Sequence, residues 1–287
     1  MKSIALYGGS FDPPHIGHEA VVKALEKLDY IDKIIIMPTF LNPFKENVKA
    51  PAKLRLQWLK EIFAQSSKVE VSSFEIDKAR KVPTIETIEA LKKRYQKIYL
   101  VIGADNLASL HKWHQFEKLQ EYVTFIVASR DNTAIPSELK QLKVDVTISS
   151  TDLREDIDIS KLPKKCANEI AHYYNRRKIM QTRIEKITEV LDKNKAEAIE
   201  VFDLRNKDYF VDYAIIASSL GQKHTVALLD HLKKELKPQE NFNHVDESGD
   251  WVVIDLGDIL IHIMTPEYRV KYDMESFLNE LGKETHA

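Results

Sequence analysis

The chain has 287 residues, 44% of them hydrophobic and 30% charged, with a net charge of −2. That length suffices for two ordinary domains, that balance excludes a disordered chain, and no run approaches the roughly 18 apolar residues of a membrane span. The one cysteine, Cys166, excludes an intramolecular disulfide and any Cys-x-x-Cys metal or redox motif. With an N-terminus too soon interrupted to be a signal peptide, the cytoplasm is the expected compartment.

In chain order, the pattern predicts a strand at Ser3–Tyr7, a helix at Gly17–Leu28, a strand at Lys33–Met37, a helix at Lys53–Ala64 and a strand at Val69–Val71. A helix at Thr84–Tyr95, a strand at Ile98–Ile102, a helix at Phe116–Glu121, strands at Thr124–Ala128 and Asp145–Ile148, and a helical tail to about Tyr174 follow. Such alternation argues for βαβ units and a parallel sheet covered on both faces, with ligands beyond the carboxyl ends of the strands. The basic stretch Arg176–Arg183 has no proline or glycine, so the junction reads as helix meeting helix. Beyond it come a helix at Arg183–Lys193, strands at Ala198–Phe202 and Val211–Ala217, and a helix at Lys223–Leu236. Strands at Trp251–Asp255 and Ile259–Met264, joined by the turn Asp255-Leu256-Gly257-Asp258, lead to a last helix through Phe277. The expected domains are therefore 1–180 and 181–287, the second a smaller α/β unit with a mixed sheet. Their charges differ in sign, +6 against −8, which suits an anionic ligand for the first and a basic surface for the second.

The chemistry concentrates after the strands. Gly8-Gly9-Ser10-Phe11-Asp12-Pro13-Pro14-His15-Ile16-Gly17-His18 holds three of the eight glycines within ten residues. The glycine pair is expected to turn the backbone tightly against a ligand, Gly17 to open a helix whose free N–H groups favour an anion, and His15 and His18 to meet one phosphate together. Neither a Walker loop nor a Gly-x-Gly-x-x-Gly fingerprint is present, and Val22 stands where a zincin would need its second histidine. A second anion site is expected at Ile148-Ser149-Ser150-Thr151-Asp152-Leu153-Arg154, where hydroxyl residues cap a helix that presents an arginine one turn in.

These two segments resemble the His-x-Gly-His and Ile-Ser-Ser-Thr-x-x-Arg signatures of the nucleotidyltransferase superfamily, and specifically bacterial nicotinate-nucleotide adenylyltransferases. The resemblance implies a Rossmann-like domain, with ATP carrying Mg²⁺ and nicotinate mononucleotide as substrates, deamido-NAD and pyrophosphate as products, and no protein-held metal. It implies catalytic roles for His15, His18 and Arg154. Substrate contacts are implied at Gly8, Gly9, Ser10, Phe11, Lys45, Thr84, Gly103, Asp105, Trp113, Arg130, Ser149, Ser150 and Thr151, with Trp113 stacked on the nicotinate ring and Asp105 near the adenosine ribose. Two departures stand out: Val82-Pro83 replaces the usual Ser-Tyr before Thr84, and Asp131 replaces the proline after Arg130. A sister enzyme of the superfamily, such as pantetheine-phosphate adenylyltransferase, is the alternative.

In the second unit, Asp212–Ala217, Gly249–His262 and Tyr268–Glu275 resemble the ribosomal silencing factor, or Iojap, family. That resemblance implies a module that binds large-subunit ribosomal protein fourteen and blocks subunit joining, with Trp251, Tyr268, Arg269 and Tyr272 as anchors, since aromatic and arginine side chains dominate interface energetics. The alternative is a dimerisation or regulatory domain of the enzyme with no ribosomal role, and a homodimer is among the expected partners.

Overall fold

Ile4, Ala5, Leu6 and Tyr7 are all buried in the computed structural model, although alternate residues of a strand point to opposite faces. A strand with two buried faces needs a layer on each side, and the flanking helices supply both. The structure describes residues 2–44, 48–130, 135, 136, 138–144, 146, 148–205, 207–237 and 239–281, with Arg130 described in its backbone alone. The chain divides into two units, Met1–Arg176 and Arg177–Ala287.

The first unit runs β1 (Ser3–Gly9), α1 (Ile16–Glu26), β2 (Lys33–Pro38), α2 (Ala52–Phe63), β3 (Val69–Val71), α3 (Phe74–Asp77), α4 (Thr84–Lys92) and β4 (Lys97–Gly103). A 3-10 segment Ala104–Lys112, α5 (Phe116–Tyr122), β5 (Thr124–Arg130), β6 (Lys140–Val144), α6 (Ser150–Glu155), a 3-10 turn Ile159–Lys161 and the start of α7 (Ala167–Lys193) complete it. The strands form one sheet in the order β3-β2-β1-β4-β5-β6, with every pairing parallel. Ala5, Tyr7, Ile34 and Ile36 pack against Val21, Val22, Leu25 and Leu59 of α1 and α2. On the other face Ile4, Leu6, Leu100 and Ile102 pack against Ile85, Ile88 and Leu119 of α4 and α5. Each fully buried isoleucine or leucine contributes roughly 1.5–3 kcal/mol of transfer free energy, so both layers are needed to hold the sheet.

One strand is displaced from its expected place. The sequence pattern puts it at Asp145–Ile148, whereas β6 occupies Lys140–Val144, paired Ile126↔Lys140 through Arg130↔Val144; Asp145 and Thr147 lie outside the described residues. As a sheet-edge strand, β6 buries only Leu142 and Val144. Two apolar residues among Lys140, Gln141 and Lys143 make too weak a stripe to stand out in sequence.

The second unit begins within α7, whose Met180, Ile184, Ile187 and Leu191 enter its core. It continues with β7 (Glu197–Asp203), β8 (Tyr213–Ser218), α8 (Gln222–Leu236), β9 (His244–Glu247), β10 (Trp251–Asp255), β11 (Ile259–Met264), α9 (Pro266–Tyr272) and α10 (Met274–Glu280). The sheet order is β7-β8-β11-β10-β9; β8 and β11 are parallel and the other pairs antiparallel. The expected turn between β10 and β11 is present: Gly257 has φ +94°, its N–H donates to Asp255 Oδ1 at 2.6 Å, and Leu256 N–H donates to Ile259 O at 3.0 Å. The last helix is two, broken at Asp273, whose φ of 40° ends α9 and whose carboxylate accepts from Ser276 N–H to open α10. Strand β9 is absent from the sequence reading because its residues alternate little and only Val245 packs inward. Among the described residues no helix is long and apolar enough to cross a membrane.

Candidate functional site

The sheet order places β1 and β4 side by side, the first running into α1 and the second into the Ala104–Lys112 segment. The chain reverses its direction of travel across the sheet here, so the connections diverge and leave a crevice at the carboxyl ends. Gly8, Gly9 and Ser10 lie at the end of β1, and Gly103 and Asp105 at the end of β4.

The glycine pair does not make the tight turn expected of it: both residues belong to β1 and neither has positive φ. A Cβ on Gly8 would meet only Met37 O at 3.9 Å, so Gly8 keeps the strand end slim. At Gly9 a Cβ would lie 3.2 Å from the Phe11 ring. Phe11 carries the left-handed conformation, φ 49°, and is buried, with its ring 4.8 Å from that of His18 and 5.5 Å from that of Tyr7. Its side chain is thus a wall behind His18, and only its backbone is left to face a ligand.

His15 caps α1 and is buried. A Cβ on Gly17 would lie 2.9 Å from His15 Nδ1, so glycine is what lets the imidazole fold back over the helix start. The two rings stack with centroids 3.7 Å apart, and His15 N–H donates to His18 Nδ1 at 3.1 Å. With Nδ1 accepting, the proton of neutral His18 sits on Nε2.

The second motif closes onto this loop. Ser149 caps α6 by accepting from Thr151 N–H at 3.1 Å, and Ser150 Oγ donates to Pro13 O at 3.1 Å. Arg154 donates to Asp12 O at 2.5 Å and to Thr151 Oγ1 at 2.9 Å. Ser150 and Arg154, more than 130 residues from their partners Pro13 and Asp12 in sequence, therefore tie α6 to the histidine loop. Asp12 is buried and accepts from Lys49 N–H at 2.8 Å, Ala50 N–H at 3.0 Å and the Tyr174 hydroxyl; burial beside this carboxylate drives the Tyr174 pKa far up.

The remaining expected contacts are placed less closely. Gly103 caps the 3-10 segment, and a Cβ there would collide with Asp105 Oδ1 at 2.2 Å; Asp105 itself is exposed and does not cap. Trp113 is half-buried against the α4–α5 core, with its indole N–H buried and unpartnered among the described residues. Thr84 opens α4. Lys45 and the Arg130 side chain lie outside the described residues. Among the described residues no group of three or more His, Cys, Asp or Glu is placed to hold a metal ion.

Sequence reasoning missed a buried carboxyl. Glu75 on α3, just past β3, is buried and accepts from Thr87 Oγ1 at 2.7 Å. Burial pushes its pKa up to about 7 against the thread of that hydrogen bond, with nearby Glu86 adding to the rise. A folded pKa above the unfolded one means the native state holds a proton the unfolded chain has lost. Stability should therefore fall as pH rises from about 4.5 to 7 and level off above, by on the order of 3 kcal/mol in all. Glu75→Gln keeps an acceptor for Thr87 and should flatten that slope and stabilise the chain at pH 8; urea unfolding at pH 5 and pH 8 checks it, and parallel pH profiles for the two proteins would contradict it.

In the second unit Trp251, Tyr272 and Tyr268 form one aromatic group, with centroids 4.9 Å apart for Trp251–Tyr272 and 5.6 Å for Tyr268–Tyr272. The Trp251 indole donates to His262 Nδ1 at 3.2 Å, and burial lowers the His262 pKa to about 4, which keeps that acceptor neutral. Tyr272 is 45% exposed. Arg269 departs from its expected role as a surface anchor: its side chain is only 11% exposed, and its guanidinium is turned inward. It donates to Ala198 O at 2.6 Å, Ser218 Oγ at 3.0 Å, Glu200 Oε1 at 2.9 Å and the Glu275 carboxylate. The β-bulge of β7, with Ala198 at φ 46°, brings that carbonyl within reach.

Comparison with known proteins follows the same division. Residues 6–156 match the cytidylyltransferase-like family model, and residues 177–286 match that of the ribosomal silencing factor during starvation. The protein of Sulfurimonas denitrificans named probable nicotinate-nucleotide adenylyltransferase is 62% identical over 174 residues, which cover 61% of this chain and 96% of that one. Its namesake in Campylobacter jejuni strain RM1221 is 47% identical over 176 residues, covering 60% and 97%. The Plasmodium falciparum nicotinic acid mononucleotide adenylyltransferase complexed with NaAD shares the fold at a TM-score of 0.52 and 22% identity, over 61% of this chain and 97% of that one. By its first unit the chain belongs to the nicotinate-nucleotide adenylyltransferase family, and its second unit is a ribosomal silencing factor domain.

Proposed function

We propose that the first unit transfers the adenylyl group of ATP to nicotinate mononucleotide, giving deamido-NAD and pyrophosphate. The observation that supports this reading is the closure of the Ser150–Arg154 motif onto the loop carrying His15 and His18 at the β1–β4 crevice, in a unit 62% identical over 174 residues to a relative of that name. A phosphate oxygen of the mononucleotide attacks the α-phosphorus of ATP, a new P–O bond forms, and the bond to the bridging oxygen breaks as pyrophosphate leaves. The attacking phosphate is already ionised, so no general base is required. Catalysis then reduces to alignment and to stabilising charge on the phosphoryl oxygens. His15, His18, Lys45 and Arg154 supply donors and positive charge. Gly8, Gly9 and Ser10 give backbone approach, Phe11 lies beside them, and Ser149, Ser150 and Thr151 bind the substrate phosphates, Ser150 also bonding Pro13 O of the loop. In this reading Gly103 and Asp105 serve the ribose, Thr84 and Trp113 the pyridine, and Arg130 is assigned to nucleotide binding. Mg²⁺ arrives as part of MgATP, held by the phosphates.

The second unit binds the large ribosomal subunit through its protein fourteen and blocks subunit joining, with Trp251, Tyr268 and Tyr272 as the contact group. The family match and the net negative charge of this unit support that reading. The test is pyrophosphate release by the full chain with ATP and nicotinate mononucleotide, nicotinamide mononucleotide or phosphopantetheine in parallel, plus sedimentation with purified large subunits. Release with phosphopantetheine alone would favour the sister enzyme. A chain that forms a homodimer and stays in the supernatant would favour the dimerisation reading.

A further inference from the structure

Arg55 sits on the buried face of α2, one turn before Trp58 and Leu59, and is 0% exposed. A guanidinium so deeply buried is costly unless its donors are met. Four of its five N–H donors are met by backbone carbonyls from three segments: Ser10 after β1; Thr39 at 2.8 Å and Phe40 at 3.0 Å after β2; and Ala50 at 3.0 Å before α2 itself. A packing residue has no reason to reach both strand ends. The planar fork has donors at fixed angles, so it sets how far apart the acceptors stand; an ammonium, a point charge on a flexible stem, has no such geometry.

We infer that Arg55 is a positioning residue for adenylyl transfer: by bridging the connections that leave β1 and β2, it fixes the spacing of the loop carrying His15 and His18 against its neighbour. This rests on the catalytic reading above and extends it to a residue that touches neither substrate. Small misplacement of aligned groups is expensive in rate, so the loss should appear in kcat rather than in stability alone.

The experiment compares Arg55→Lys and Arg55→Gln with Trp58→Phe in the full chain. Trp58 is equally buried on the same helix, donates to Glu169 at 2.8 Å and, among the described residues, makes no hydrogen bond to either strand-end loop, so its replacement reports the cost of disturbing α2 without cutting the carbonyl bridges. The Arg55 variants should lose at least about tenfold in kcat per folded molecule, with KM for both substrates changed less, whereas Trp58→Phe should lower Tm while keeping kcat within about twofold. Hydrogen exchange supplies a readout independent of turnover. The Thr39 amide, which donates to Gly9 O at 3.0 Å, should lose protection in the Arg55 variants while Leu100 and Val127 amides in the sheet keep theirs. Unchanged kcat, an equal kcat loss in Trp58→Phe, uniform loss of protection across the sheet, or failure of both Arg55 variants to fold would each overturn the inference. A wild-type chain inactive on nicotinate mononucleotide would refute the catalytic reading instead, and the exchange pattern would still decide what Arg55 does to the loops.

Discussion

His18→Ala is expected to lower turnover with ATP and nicotinate mononucleotide roughly 10²- to 10³-fold, the cost of losing one preorganised donor at a centre of developing charge. The imidazole is held on three sides before any substrate arrives: stacked on His15, against the edge of Phe11, and accepting at Nδ1 from the His15 backbone. That bond assigns the proton to Nε2, the nitrogen able to donate to a phosphoryl oxygen. It also helps cap α1, so alanine removes a cap as well as a donor. His18→Asn separates the two effects, because its Oδ1 can still accept from His15 N–H. Both variants should show the same large loss in pyrophosphate release, with only alanine lowering Tm appreciably. Near-normal turnover in folded His18→Asn would remove His18 from the chemistry and leave it a capping residue.

Arg269→Ala should destabilise the second unit by about 3–5 kcal/mol, the range for removing one member of a buried charge cluster. The substitution strips Glu275 of its cation and leaves the Ala198 carbonyl and Ser218 hydroxyl without their donor at the bulge of β7. Glu200, 53% exposed, recovers water and holds the cost toward the lower end. Tyr272→Ala, by contrast, truncates a half-exposed ring and should cost little stability, while reducing the fraction that sediments with large subunits. Urea unfolding and sedimentation of the folded fraction separate the two. An Arg269→Ala chain with an unchanged unfolding midpoint that no longer sediments would restore Arg269 as a direct anchor.

Most of the architecture was legible because β1, β2, β4 and β5 of the first unit each carry an unbroken run of mostly apolar residues and the helices between them are periodic. Strands β1, β2, β4 and β5 fall where the Ser3–Tyr7, Lys33–Met37, Ile98–Ile102 and Thr124–Ala128 runs put them. The elements that were displaced or missed, β6, α3 and β9, are short or lie at sheet edges, and bury too few side chains to impose a period. The same limit explains Arg55. It occupies an apolar-face position in the series Arg55, Trp58, Leu59, Ile62, and a charge in that series was the available signal. What it signalled could not be read, because its partners are backbone carbonyls, which carry no residue identity.

The sequence by itself determined that glycines, histidines and hydroxyl residues stand in fixed local order after two strands, since local order is what a sequence records. Tertiary structure alone decided how those pieces are used. It put the Phe11 ring against His18, tied Arg154 to the Asp12 carbonyl, and made Arg269 an internal clamp. For the two arginines the deciding quantity is which atoms lie within about 3 Å across a long stretch of chain, and hydrogen bonding at that range follows from packing, not from spacing along the sequence.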